Sequence, residues 1–450
     1  MMKISMKSIK NMSSSRKMIF GFIGSTVIGA LLLMFPFSLQ KDEHISFLTA
    51  FFTITSAICV TGLSVVDVSK VFSPVGWTII LIFIQLGGLG VMTFSSTIFL
   101  ITGKKMTFSE RMTLKDERNA DGSEEIKVFI KKIFKTVFVI EGIGAVILTY
   151  FFINDLHYSF GKALYYGIFH AVSAFCNAGF SLFSTGLEGF AGSVVLNLSI
   201  AYLIILGGIG FAVINSFILG IRKGIKKFNL TSKLAILISV FLTFGGMMAI
   251  FILEYNNPNT IGKFNFVDKL MAAFFQSVTL RTAGFNTVPL AGLNDGTVFL
   301  SYILMFIGAS PGSTGGGLKT TTIGVIVFYV LGVVKGRENI ELFNRRIGWD
   351  ILNKALAILV ISLMYVGIII MLILTYDNFG LKEVIYEVIS AFATVGVTLG
   401  ITPNLNVLSQ ILIIITMFVG RLGPMTFALA IGEKKIKEQY EYPKENIVVG

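Results

Sequence analysis

The chain has 450 residues, 54% of them hydrophobic and 14% charged, with a mean hydropathy of +0.81. Soluble proteins carry about a quarter charged residues, so the composition excludes an ordinary soluble domain and points to an integral membrane protein with many helices. The formal net charge of +12 would suggest nucleic acid in a soluble chain, but here the cations sit between apolar runs, which excludes that reading.

The first apolar run, Met18–Phe37, has no small-residue cleavage site after it and reads as a membrane span, not a signal peptide. Further long runs are Ile79–Ile101, Ile133–Ile153 and Ser193–Ile221. Each can supply the roughly 20 helical residues that a hydrocarbon core requires. Basic clusters recur at Lys3–Lys17, Lys104–Lys135, Arg222–Lys233, Lys335–Lys354 and Lys434–Lys444. The loops between them carry acids: Asp42, Glu43, Asp67, Asp155, Glu188, Glu254, Asp295, Asp377 and Glu383. By the positive-inside rule, this alternation puts both termini and all the basic loops in the cytoplasm of a multi-pass cell-membrane protein.

Between the basic clusters one plan repeats four times. A long apolar run is followed by an amphipathic stretch of about a dozen residues, a small-residue turn with a glycine, and a second apolar run. The turns are "SAICVTGLS" (Ser56–Ser64), "SAFCNAGFS" (Ser173–Ser181), "VTLRTAGFN" (Val278–Asn286) and "SAFATVGVT" (Ser390–Thr398). Stacked on Gly62, Gly179, Gly284 and Gly396, they share a small polar residue two places later: Ser64, Ser181, Asn286 and Thr398. Cys59 and Cys176 occupy equivalent positions, which explains the two cysteines better than a redox role or a metal cage.

The stretches Leu48–Cys59, Tyr165–Cys176 and Asp268–Leu280 are too short to span and read as re-entrant half helices. Backbone that unwinds at membrane depth must be buried or line water. The partial negative ends of four half helices would then meet near mid-membrane. Glycine lets successive carbonyls face one axis, where they replace the hydration shell of an alkali ion. The turns carry no carboxylate of the kind a divalent site usually wants. Close packing of small residues is the alternative explanation, and recurrence at a re-entrant turn favours a pore. The expected fold is an all-α integral membrane protein: four tandem repeats of helix, pore half-helix, filter loop and helix around one pseudo-fourfold pore. The segments are 1–17 (cytoplasmic), 18–103 (repeat 1), 104–132 (cytoplasmic linker), 133–222 (repeat 2), 233–335 (repeat 3), 353–432 (repeat 4) and 433–450 (cytoplasmic tail).

Over about residues 15–435 these repeats resemble the Trk/Ktr/HKT superfamily of potassium transporters, whose single-glycine filter the turns resemble. The chain begins directly with the first repeat, as in the bacterial Ktr membrane subunits (KtrB type). The resemblance implies a homodimer with one pore per subunit, potassium uptake, often sodium-dependent, and control by a cytosolic nucleotide-binding ring of KtrA type. It implies no enzymatic step and no cofactor in this chain, with K+ and in some members Na+ as transported or coupling ion. Carried over to the matching positions, the filter is Val60, Thr61, Gly62 and Leu63; Asn177, Ala178, Gly179 and Phe180; Thr282, Ala283, Gly284 and Phe285; and Thr394, Val395, Gly396 and Val397. Three of the four depart from a strict Thr-Val-Gly pattern, which leaves the potassium-to-sodium ratio open.

The second helices align as "QLGGLG" (Gln85–Gly90), "ILGGIG" (Ile205–Gly210), "FIGASPG" (Phe306–Gly312) and "FVGRLGP" (Phe418–Pro424). Arg421 then replaces Gly88, Gly208 and Ala309 and is expected to place a positive charge in the cation path; the alternative is an ion pair with an acid such as Glu141. Arg281 is expected to pair behind the filter, and Glu141 and His170 to be structural. The stretch "GASPGSTGGGLKTTT" (308–322) nearly spells a phosphate-binding loop, but Leu318 follows Gly317, so Lys319 comes one place late, and no strand precedes it. Pro311 and the glycines break a helix there. Residues 308–319 therefore read as an unwound segment below the filter whose backbone faces pore water: Gly308, Ala309, Ser310, Pro311, Gly312, Ser313, Thr314, Gly315, Gly316, Gly317 and Lys319, level with Arg421, form the expected gate. A cation moving inward gains about 2.3 kcal/mol per 100 mV, so uptake requires a gate and no fuel-burning domain. A sodium-coupled or sodium-selective secondary transporter, usually built from inverted repeats, or the integral subunit of a cation-pumping assembly, is the other reading. The charged tail Gly432–Glu445 either docks a regulator or only satisfies the positive-inside rule.

Overall fold

The computed structural model describes residues 14–90, 126–223, 228–337 and 339–424, with Pro443 and Glu445. Most of the segments 1–17 and 104–132, the last residues of the expected repeats 1 and 4, and nearly all of the tail 433–450 lie outside the described residues.

Among the described residues three helices are long and apolar enough to cross a membrane: α5 (Ile126–Asn154), α9 (Leu230–Glu254) and α13 (Trp349–Tyr376). With α1 (Ser14–Leu33) they form the outer shell. Their outward faces carry exposed apolar side chains, including Val146 and Tyr150 on α5, Phe241 and Ile252 on α9, and Met364 and Met371 on α13. Apolar faces of this size on a folded chain match a hydrocarbon solvent.

Each outer helix is followed by a short one: α2 (Phe47–Ile58), α6 (Phe160–Phe175), α10 (Phe266–Thr279) and α14 (Leu381–Ala393). At 12 to 16 residues they cannot span. Local chemistry starts two of them. Ser46 accepts a hydrogen bond from Thr49 N (3.1 Å), and Asn265 accepts one from Asp268 N (2.8 Å). Apart from α3 (Val68–Val71), the remaining helices return the chain: α4 (Pro74–Gly88), α7 (Val194–Ile209) with α8 (Phe211–Lys223), α11 (Asp295–Phe306) with α12 (Thr320–Val334), and α15 (Val407–Leu422).

The packing order is cyclic. Besides its own unit, α4 packs on α6, α7 on α10, α11 on α14, and α15 closes the circle on α2. The four short helices are the most buried elements, and one continuous apolar core surrounds them.

The apolar run Ser193–Ile221 is not one helix, contrary to the expectation of a continuous span. At Gly210, φ is +95°, and α8 leaves α7 at 101°. Phe211 N donates to Gly312 O (3.0 Å) instead of continuing the α7 ladder. Gly90 (φ +87°) and Gly423 (φ +88°) end α4 and α15 at the aligned positions. In the third unit residues 307–319 are irregular, and Ile307 and Leu318 pair in parallel at the base of the loop. Among the described residues the helices are otherwise interrupted by one hairpin of β1 (Ile340–Leu342) and β2 (Arg345–Ile347), joined by Phe343 and Asn344, both with positive φ as a two-residue turn requires.

Candidate functional site

The four short helices end in the same backbone conformation. Two residues have positive φ in each turn: Val60 (+51°) and Gly62 (+98°), Asn177 (+57°) and Gly179 (+68°), Thr282 (+72°) and Gly284 (+80°), Thr394 (+53°) and Gly396 (+91°). A left-handed conformation costs an L-residue about 1–2 kcal/mol. Finding it at the same place in four turns, three times on a β-branched side chain, marks a conformation that the surroundings impose.

The residue between the two left-handed positions presents its carbonyl to the neighbouring turn. A Cβ on Gly62 would stand 2.6 Å from Ala178 O, one on Gly179 2.8 Å from Ala283 O, and one on Gly284 2.6 Å from Val395 O. A Cβ on Gly396 would collide with Thr61 O. The four glycines and the carbonyls of Thr61, Ala178, Ala283 and Val395 thus form a closed circle with no room for a methyl group. The C-terminal ends of α2, α6, α10 and α14 meet around it, so the constriction is electronegative without any carboxylate.

Hydroxyl side chains hold the turns. Ser56 Oγ accepts from Gly62 N (2.9 Å) and Ser390 Oγ from Gly396 N (3.0 Å). Ser173 donates to Phe180 O (2.8 Å). In the third unit Val278 stands where the others have serine, and Thr279, one place later, donates to Phe285 O (2.5 Å). Nine residues before the glycine, His170 and Glu387 tie the outgoing chain: His170 Nε2 accepts from Leu182 N (3.4 Å), and Glu387 accepts from Thr398 (2.6 Å) and Thr402 (2.5 Å). The second unit's Cys176 and the first unit's Cys59 are buried free thiols. Glu141 on α5 accepts a long sulfur contact from Cys176 (3.9 Å).

On the side of the helix-connecting loops a cavity of about 320 Å³ opens onto the circle, lined by Gly284, Gly396, Asn286, Thr398 and Glu188 among others. Asn286 donates to Glu188 Oε1 (2.7 Å). Burial pushes the Glu188 carboxyl above the usual carboxylate range, and the Asn286 bond opposes that shift.

Below the circle, each returning helix presents a glycine to the end of its own short helix. A Cβ on Gly87 would collide with Ile58 O, one on Gly207 with Phe175 O and one on Gly420 with Phe392 O. The aligned Gly308 meets Gly316 O of its own loop instead. Sequence reading missed this seat; its signal was the first glycine of the aligned pairs in "LGGLG" and "LGGIG".

The 307–319 loop lies directly under the circle and touches the second, third and fourth units. Its Gly316 N donates to Thr394 Oγ1 (2.9 Å), Thr314 Oγ1 to Phe175 O (3.2 Å), and Ser310 N and Thr314 N to Gly208 O (3.0 Å) and Gly207 O (3.1 Å). A Cβ on Gly315 would meet Thr282. The expectation that this backbone faces water is corrected here: many of its polar groups are paired within the protein, as burial demands. Two cations engage the same loop. Arg421 donates to Thr314 O and to Gly87 O, and Lys319 Nζ donates to Gly315 O (2.8 Å). Arg281 turns the other way, behind the third turn, and donates to Ser239 O (3.1 Å), Ser239 Oγ (2.9 Å) and Thr243 Oγ1 (3.0 Å) of α9.

Fold and site together define a helical membrane protein in which four short buried helices converge on one carbonyl-lined constriction. The family model for TrkH, cation transport protein, matches residues 6–440. Ktr system potassium uptake protein B of Bacillus subtilis (strain 168) is 39% identical over 430 residues, covering 96% of this chain and 95% of its own. Potassium/sodium uptake protein NtpJ of Enterococcus hirae is 36% identical over 447 residues, with 98% of each chain covered. The structure of the potassium transporter TrkH from Vibrio parahaemolyticus superposes with a TM-score of 0.73 at 18% identity, over 93% of this chain and 85% of that one. The chain belongs to the TrkH/Ktr family of cation transport proteins.

Proposed function

We propose that the chain is the pore-forming membrane subunit of a potassium uptake system, passing K+ down its electrochemical gradient through four carbonyl-lined turns. The observation that carries the reading is the circle of Gly62, Gly179, Gly284 and Gly396, each pressed on the carbonyl of the next turn. Backbone oxygens held this way replace the hydration shell of a bare monovalent ion. The filter is then residues 60–63, 177–180, 282–285 and 394–397, in a pseudo-fourfold pore built from the four tandem units. Acids such as Glu188 stand on the extracellular side, and both termini lie in the cytoplasm.

The gate is the loop Gly308–Lys319, with Arg421. It crosses the path below the filter, and two of the protein's own cations bind carbonyls that a passing ion would otherwise meet. The relatives named for the Ktr system support a multi-component potassium uptake system. To it we add a cytosolic nucleotide-binding partner of KtrA type that moves this loop, and a homodimer with one pore per subunit. The relative named for potassium and sodium supports sodium as a coupling or transported ion.

Uptake of K+, Rb+ and Na+ into proteoliposomes, with and without the cytosolic partner, tests the reading. The expected order is K+ and Rb+ well above Na+. Gly396→Ser is expected to weaken that preference in a chain that still folds. An absence of cation flux under every condition removes the proposal.

A further inference from the structure

Behind the third turn, between α7, α9 and α10, lies a cavity of about 210 Å³ with almost wholly apolar walls. Its mouth is on the membrane-facing surface, where Val240 and Phe244 are 50% and 55% exposed. Its inner end reaches Gly208 and Ile209, one step from the 101° break at Gly210. Arg281 is among its lining residues.

Among the described residues that guanidinium has no counter-ion. Its donors meet neutral oxygens of Ser239 and Thr243, its Nε–H has no acceptor, and among the described residues no carboxylate lies within ion-pair distance. An uncompensated charge in a low-dielectric site is costly, and intramembrane cations otherwise pair. The equivalent positions in the other turns are Cys59, Cys176 and Ala393, so the charge belongs to the third unit alone.

We propose that this cavity is a binding site for a membrane-borne long-chain carboxylate, with the carboxylate on Arg281 and the apolar tail leaving between Val240 and Phe244 into the bilayer. The chemistry fits at both ends: one cation lacking an anion, and an apolar channel from it to the lipid. The site also touches the gating machinery. Gly208, in its wall, accepts Ser310 N of the loop through its carbonyl (3.0 Å), so an occupant braces the point where the loop is anchored. Binding itself does not depend on which ion the constriction passes; only the effect on flux rests on the function proposed above.

The test uses the full chain in nanodiscs of neutral phosphatidylcholine and measures binding of radiolabelled oleate, with oleyl alcohol as the uncharged probe of equal tail. The expected result is saturable oleate binding at one site per chain, with oleyl alcohol weaker by roughly thirtyfold or more, as expected when one member of a buried charge pair is removed. Arg281→Gln is expected to reduce oleate binding by the same factor, and Arg281→Lys to retain most of it. Val240→Trp, which fills the mouth and leaves Arg281 intact, is expected to abolish binding even if Arg281→Gln proves unstable. Equal binding of acid and alcohol, or unchanged oleate binding in a folded Val240→Trp chain, overturns the proposal. So does an absence of saturable oleate binding to the folded chain.

Discussion

Arg421, near the end of the last helix, donates a hydrogen bond to the carbonyl of Thr314, in the middle of the loop that interrupts the third returning helix. Its other arm reaches Gly87 O of the first unit, so one side chain ties the loop to two separate walls. If the loop is the proposed gate, a guanidinium in that role is a latch as well as a charge, and its removal is expected to free the loop and lower the electrostatic barrier together.

Arg421→Ala is therefore expected to raise Rb+ uptake into proteoliposomes lacking the cytosolic partner. Hydrogen bonds from a charged donor contribute about 1.5–3 kcal/mol, which corresponds to a rise of about ten- to a hundredfold if the loop limits conduction. Uptake at or below the unmodified rate contradicts the latch.

Deleting Ser310–Gly317 removes the contacts to Gly207, Gly208, Phe175 and Thr394 in one step. Partner-independent uptake is expected to rise above that of Arg421→Ala. Uptake that stays fully dependent on the partner places the gate elsewhere.

Ser390 holds the fourth turn by accepting from Gly396 N. Ser390→Ala orphans a partly buried N–H at a cost of about 1 kcal/mol. A lower unfolding temperature in detergent and a reduced K+/Na+ flux ratio are expected together. A changed stability with an intact ratio reduces the serine to scaffold.

Gly207 sits against Phe175 O, where a Cβ does not fit. Gly207→Ala is expected to destabilise the chain by about 1–3 kcal/mol, read as a fall in unfolding temperature. Gly245, with open space around it, is the control: Gly245→Ala should be silent or slightly stabilising because it lies mid-helix.

Glu188 is the acid lining the cavity that the proposed function makes the outer mouth, and burial raises its carboxyl above the usual range. As external pH falls towards that raised pKa the carboxylate takes up a proton and the mouth loses attraction for cations. The apparent KM for K+ is expected to rise by about threefold over that interval. Glu188→Gln should show the high KM at every pH; a pH profile identical to that of the unmodified chain assigns the titration to another group.

Much of the architecture was legible because it repeats. The recurring glycine, the small polar residue two places later and the serine six places earlier are visible in the letters, and each has a bond or a fit behind it. Where the letters break the pattern, at Val278, a threonine one residue on supplies the missing hydroxyl, and no spacing rule announces that. Gly210 was also unreadable as a break: an apolar helix passes through a glycine at little cost, and what bends this one is a partner carbonyl on Gly312, about a hundred residues away in sequence.

The sequence by itself determined that the chain is of a membrane-protein class, that it repeats one glycine-bearing turn four times, and that Pro311 and its glycines interrupt the third returning helix. These follow from hydropathy and backbone propensity, which are local. Only the tertiary structure decided who meets whom. It closed α15 onto α2, set each glycine against its neighbour's carbonyl, gave Arg421 to Thr314 and Gly87, and set Arg281 beside an apolar cavity with no carboxylate among the described residues in ion-pair reach. Such pairings join residues hundreds of positions apart, and their energy comes from fit and unpaired charge at the point of contact, quantities that exist only once the four units have come together.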